Sequence, residues 1–135
     1  MQIGCDSKGV VRSPDLHDGS LEGILVENRA GIQHLVLSAT DTQGRKVSIA
    51  CPNVVRMILN NLREGNIVFA LSLTEGSNID TEDLKAVFDD DAYSDTWLGT
   101  QGRQDCTMMR ISSSYGCDGL VLLRSRSSDI EVKQE

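Results

Sequence analysis

Three apolar runs punctuated by two short turn signals constrain this 135-residue chain more than any other feature. Residues 21–27 and 32–40 flank Asn28-Arg29-Ala30-Gly31, and Asp41-Thr42-Gln43-Gly44 leads into residues 45–51. Asn and Gly adopt positive φ at little cost, so both separators read as tight turns. In the third run Val47, Ile49 and Cys51 alternate with Lys46, Ser48 and Ala50, the period-2 pattern of a half-buried strand. Strands joined by such short turns pair antiparallel. The expected fold class is therefore mainly β.

Beyond Pro52 the pattern changes. Val55, Ile58, Leu59 and Leu62 fall at i, i+3, i+4 and i+7, which predicts an amphipathic helix with Pro in its first turn. Gly65 closes that segment. Residues 66–73 read as a central strand, with Ile67, Phe69, Leu71 and Leu73 on one face and Val68 and Ala70 on the other. A second helix is expected from about Thr81. Asp80 would cap it, Ile79 and Leu84 would form a hydrophobic staple, and Glu82 and Asp83 suit the positive end of the helix dipole. Residues 106–112, 120–124 and 129–133 read as three more strands, and residues 92–104 as the longest loop. The expectation is one antiparallel, sandwich-like domain over 1–135, with six or seven strands and one or two short helices. Residues 1–15 form a polar lead-in and 75–105 an acidic helix–loop segment.

Five aromatic residues (Phe69, Phe88, Tyr93, Trp97 and Tyr115) are all the chain has, so its core must be built from Val, Ile, Leu and Met. The same scarcity removes the stacking platform of a single-stranded nucleic-acid binder, and an acidic chain is repelled by phosphates. Direct nucleic-acid binding is not expected. The polar residues 1–15 contain no signal-peptide core, and no apolar run is long enough to span a bilayer, so a cytoplasmic protein without membrane contact is expected. Cys5, Cys51, Cys106 and Cys117 include no C-x-x-C pair and are expected to stay reduced.

Charge is concentrated. Between Glu75 and Asp95 stand eight acids and one base, which carry the whole net charge of −7. A balanced body with one acidic segment points to a partner with a basic surface, steered by the summed field. Asp80, Glu82, Asp83, Asp89, Asp90, Asp91 and Asp95 are the candidate partner-binding residues. Asp89-Asp90-Asp91 sits where a helix C-terminus would disfavour negative charge, which invites a functional explanation. The segment lacks the Gly and Glu of an EF-hand loop, so no metal site is assigned beyond loose cation association. No nucleophile elbow, zinc motif or phosphate loop is present, and neither an enzyme nor a cofactor is expected. The alternative is a small enzyme or ligand-binding domain with a pocket near His17 and Tyr115, where His17 could meet Cys117. His34 reads as a structural strand histidine.

Three segments carry a resemblance: Leu16-His17-Asp18-Gly19, Arg63-Glu64-Gly65-Asn66-Ile67 and Ser113-Ser114-Tyr115-Gly116. With the strands between them, spanning about 14–124, they resemble small bacterial β-rich proteins similar to immunity proteins of contact-dependent or polymorphic toxin systems. That resemblance implies a non-enzymatic inhibitor whose partner is a cognate toxin, such as a nuclease with a basic cleft. The acidic 75–105 segment departs from the family pattern, which usually runs directly between these strands.

Overall fold

The computed structural model describes residues 2–88 and 103–134. Ten strands occur in the described residues: β1 (Gly4–Cys5), β2 (Val11–Ser13), β3 (Ser20–Arg29), β4 (Ile32–Thr40), β5 (Lys46–Cys51), β6 (Val54–Asn60), β7 (Asn66–Glu75), β8 (Thr107–Tyr115), β9 (Asp118–Leu123) and β10 (Glu131–Gln134). One α-helix, α1 (Thr81–Phe88), accompanies them. β1 and β2 form a hairpin, and the other eight strands form one antiparallel sheet ordered β10-β5-β4-β3-β7-β8-β9-β6. The mainly β class is as expected. The expected six or seven strands is too few, because residues 1–15 and 54–60 also enter strands.

The sheet folds over on itself. β3 and β7 pair only through Ser20–Ile67 and Leu21–Asn66, then part. This leaves two four-stranded halves, β10-β5-β4-β3 and β7-β8-β9-β6, with one core between them. Leu35, Leu37, Ile49 and Val132 from the first half join Leu71, Met109, Val121 and Leu123 from the second. The second half is covered on both faces. Along β9, Val121 and Leu123 enter this core, while Leu120 and Leu122 face outward against Leu84, Val87 and Phe88 of α1. The double-sided burial expected of residues 66–73 belongs to β9 instead.

The meander forms as its turns require. Arg29 pairs with Ile32, leaving Ala30 and Gly31 as a two-residue loop with φ of 52° and 82°. Asn28 Oδ1 accepts from the Gly31 N–H at 2.9 Å. At the next turn Asp41 Oδ1 accepts from the N–H groups of Gln43 and Arg45, and Oδ2 from Arg45 Nε. Asp6 repeats this arrangement in the β1–β2 hairpin, with Lys8, Val10 and Arg12 as donors.

The helix expected at 55–62 is strand β6. A bulge between Val54 and Arg56 shifts the strand's phase. Val54, Met57 and Leu59 pack on the inner core, and Val55 and Ile58 on the helix-covered side. A strand that is apolar on both faces and bulged reproduces i, i+3, i+4 spacing without being helical. The polar lead-in is also structured: Val11 and Leu16 are core residues. Val10 bridges Ser72, and Gly9 O accepts from the Leu73 N–H at 2.8 Å, so this segment covers the β7 edge that β3 leaves.

α1 begins as expected. Asp80 Oδ1 accepts from the Glu82 N–H at 2.8 Å, and Ile79 and Leu84 are both buried. The run Asp89-Asp90-Asp91, Asp95 and most of the 92–104 loop lie outside the described residues. No helix among the described residues is long and apolar enough to cross a membrane.

Candidate interaction site

The three quoted segments, far apart in sequence, meet at one end of β7. Asn66 joins the second segment to the end of the third. It is buried, its Oδ1 accepts from the N–H groups of Arg63 and Cys117, and its Nδ2 donates to Arg63 O at 2.5 Å. Gly65, at φ 76°, makes the turn into the strand. Gly116 must be glycine: a Cβ there would stand 2.2 Å from Asn66 Oδ1, at φ 92°. Ser113 Oγ donates to Gly116 O, tightening the same turn. On the other side, Asp18 N–H donates to Val68 O, and Val68 N–H donates to Gly19 O.

Two irregularities in the β7–β8 ladder turn side chains outward. The register shifts between Ile67 and Val68 and again between Val68 and Ala70. Val68 stays in the core, but Ile67 and Phe69 point to solvent, unlike Leu71 and Leu73. The expected common face for Ile67, Phe69, Leu71 and Leu73 is therefore corrected; the bulges break the alternation that predicted it. Tyr115 lies directly across from Ile67. Phe69 is 53% exposed, Tyr115 48% and Ile67 37%. Phe69 and Tyr115 are two of the chain's five aromatic residues, and neither serves the core.

Polar groups frame these three. The Arg63 guanidinium stacks 5.5 Å above the Tyr115 ring. His17 meets Phe69 edge-on, with ring centroids 5.3 Å apart. His17 Nδ1 lies 2.7 Å from Phe69 O, and since a carbonyl only accepts, Nδ1 carries the hydrogen. Its Nε2 lies 3.6 Å from the Asp18 carboxylate. Beside Arg63, a cleft of about 240 Å³ opens where β3 parts from β7, lined by Leu21, Glu22, Gly23, Ile24, Leu62 and Asn66 among others.

The thiols are placed for packing. None of the four cysteines is in a disulfide, and Cys51, Cys106 and Cys117 are buried. Burial pushes the Cys51 thiol up to about 12. Burial, with the nearby Asp118 charge, raises Cys117 as well. A raised thiol is a weaker nucleophile at neutral pH, and His17 commits its ring to Phe69 and Asp18. His34 lies on β4, with Nδ1 3.2 Å from Ile32 O.

The acidic candidates divide. Asp80 caps α1, and Asp83 pairs with the Arg110 guanidinium. Glu82 is exposed on the first turn of α1. Among the described residues, no three His, Cys, Asp or Glu side chains gather as a metal-binding group. The alternative site near His17 and Tyr115 and the three quoted segments name part of this cluster in the sequence; Phe69 had no sequence signal of exposure. No protein family, characterised protein or solved structure matches the chain.

Proposed function

We propose that this protein is a non-catalytic recognition domain that binds another protein through Ile67, Phe69 and Tyr115, with Arg63 and His17 at the rim. One observation carries this reading: an aromatic-poor chain places Phe69 and Tyr115 on its surface beside Ile67, at a ladder end held rigid by Asn66. Tyr, Phe and Arg dominate the energetically decisive centres of protein interfaces, and a pre-organised patch loses little entropy on binding. The acidic stretch from Glu75 to Asp95 then acts at longer range, speeding the approach of a basic partner. In its finer form, the partner is a toxin domain that this protein neutralises in the cytoplasm. That form is supported by the acidic charge, which complements a phosphate-binding cleft, and by the convergence of the three segments on which the resemblance rests.

Tagged protein recovered from its native cells tests the proposal. Wild-type protein should bring down one stoichiometric partner, and Phe69→Ser should lose it. Glu82→Lys should retain the partner but associate more slowly at low salt. Recovery of the same partner at equal yield with Phe69→Ser would sink the reading.

A further inference from the structure

Among the described residues, one edge of β3 is left unpaired along most of its length. From Gly23 to Arg29 the strand pairs with β4 on one side only. Its other edge leaves β7 after Leu21, and no described residue pairs with it. Monomeric proteins usually block such edges with charge, proline or a covering segment. Here the middle of the edge reads Ile24-Leu25-Val26, with Leu25 52% and Val26 43% exposed. Val26 lies across from the fully buried Leu35, so it faces the core side at the sandwich's open mouth. Leu25 lies across from Val36 and faces outward.

We propose that this edge pairs with the same edge of a second copy, joining two sheets antiparallel across a two-fold axis at Leu25. The strand is complementary to itself in that register. Leu25 faces its symmetry mate, Ile24 faces Val26 and Gly23 faces Glu27, and the bulge at Glu22 ends the regular stretch. The apolar tripeptide therefore covers itself, and each open core mouth is closed by the other copy's Ile24 and Val26. Charge agrees. No like charges stand opposite, Glu27 is already paired with Arg29 of its own strand at 2.8 Å, and Glu22 accepts from Thr40. The net −7 lies between Glu75 and Asp95, and α1 within that stretch packs on the outer face of the other half. Two acidic chains can thus meet at β3 through neutral surfaces. This pairing does not depend on the recognition patch.

Sedimentation and site-specific cross-linking test it. Wild-type protein should show twice the 14.7 kDa chain mass. Leu25→Lys places two ammonium groups at the axis and should give the single-chain mass with an unchanged circular dichroism spectrum. In a Cys5→Ser background, Leu25→Cys should form an intermolecular disulfide, because facing Cα atoms in an antiparallel pair lie about 4.5–5.5 Å apart. Glu27→Cys, facing Gly23, should not. A wild-type protein that stays at single-chain mass up to its solubility limit would overturn the proposal and leave the edge to a strand from another protein. Persistence of the double mass in Leu25→Lys, without the Leu25→Cys cross-link, would also overturn it.

Discussion

β3 and β7 part company after two residue pairs, and each leaves a bare edge where the other departs. The β7 edge is covered at once by the N-terminal segment, through Gly9, Val10 and the Asp18–Gly19 backbone. No described residue pairs with the β3 edge beyond Leu21. The covered edge is held by core residues Val11 and Leu16, whereas the open one carries exposed Leu25 and Val26. The two strands have the same length, and the covered β7 is the more apolar, so apolar content does not explain the exposure on β3. What separates them is that the N-terminal segment pairs with β7, whereas no described residue pairs with β3 beyond Leu21. Apolar side chains stabilise the fold on the covered edge and remain available for contact on the open one.

The contrast is sharpest in a pair of truncations. Leu16→Ala removes a buried anchor of the covering segment and should destabilise the protein by about 2–5 kcal/mol. Leu25→Ala, on the open edge, should change single-chain stability by only about 0.5 kcal/mol. Urea unfolding of both variants, in the monomeric Leu25→Lys background for the first, makes the comparison. Equal losses would mean that the two edges are not different.

Gly9→Ala attacks the covering contact itself. A Cβ at Gly9 would stand 2.5 Å from Leu73 O, at φ 81°. The clash is with backbone and cannot relax by a rotamer change, so a loss of about 1–3 kcal/mol is expected in thermal unfolding.

Acid should loosen the same region. The Val10 N–H bond, followed by Lys8 N–H and the Arg12 guanidinium, holds the Asp6 carboxyl below its ordinary value of 3.8, and Arg45 and Gln43 do the same for Asp41. A carboxyl lowered by folding stabilises the fold in its ionised form. That contribution is complete above the ordinary value and is lost as pH falls through the lowered one. Amide exchange at Val10 and Leu73 should therefore accelerate below pH 3.8 relative to β8 amides. Asp6→Asn should bring the acceleration to neutral pH.

The smallest effect concerns the β3–β4 turn, where Ala30 adopts φ 52°. Ala30→Gly removes that strain and should raise stability by up to about 1 kcal/mol, read as a small rise in melting temperature.

How much of this was legible beforehand follows from local chemistry. The meander, the start of α1 and the three last strands were readable because turn residues and period-2 runs act over a few positions. The sequence of β6 reads as a helix because its bulge and two covered faces imitate helical spacing. The polar lead-in gives no strand signal because its contribution is mostly backbone pairing to β7, which polar side chains do not announce. The outward turn of Ile67 and Phe69 was hidden for a related reason: alternation predicts facing only while the ladder stays in register. Residues 63–67 and 113–116 could be named as turns, but their meeting around Asn66 depends on long-range pairing.

The most direct test of the account is the ratio between binding and stability at Phe69. Phe69→Ala should change unfolding free energy by less than about 1 kcal/mol, since the ring is exposed and meets His17 edge-on. The same substitution should weaken the co-purified partner's affinity, measured by titration, by about tenfold or more, as for an interface hot spot. Unchanged affinity with unchanged stability would contradict the assignment of this surface to recognition.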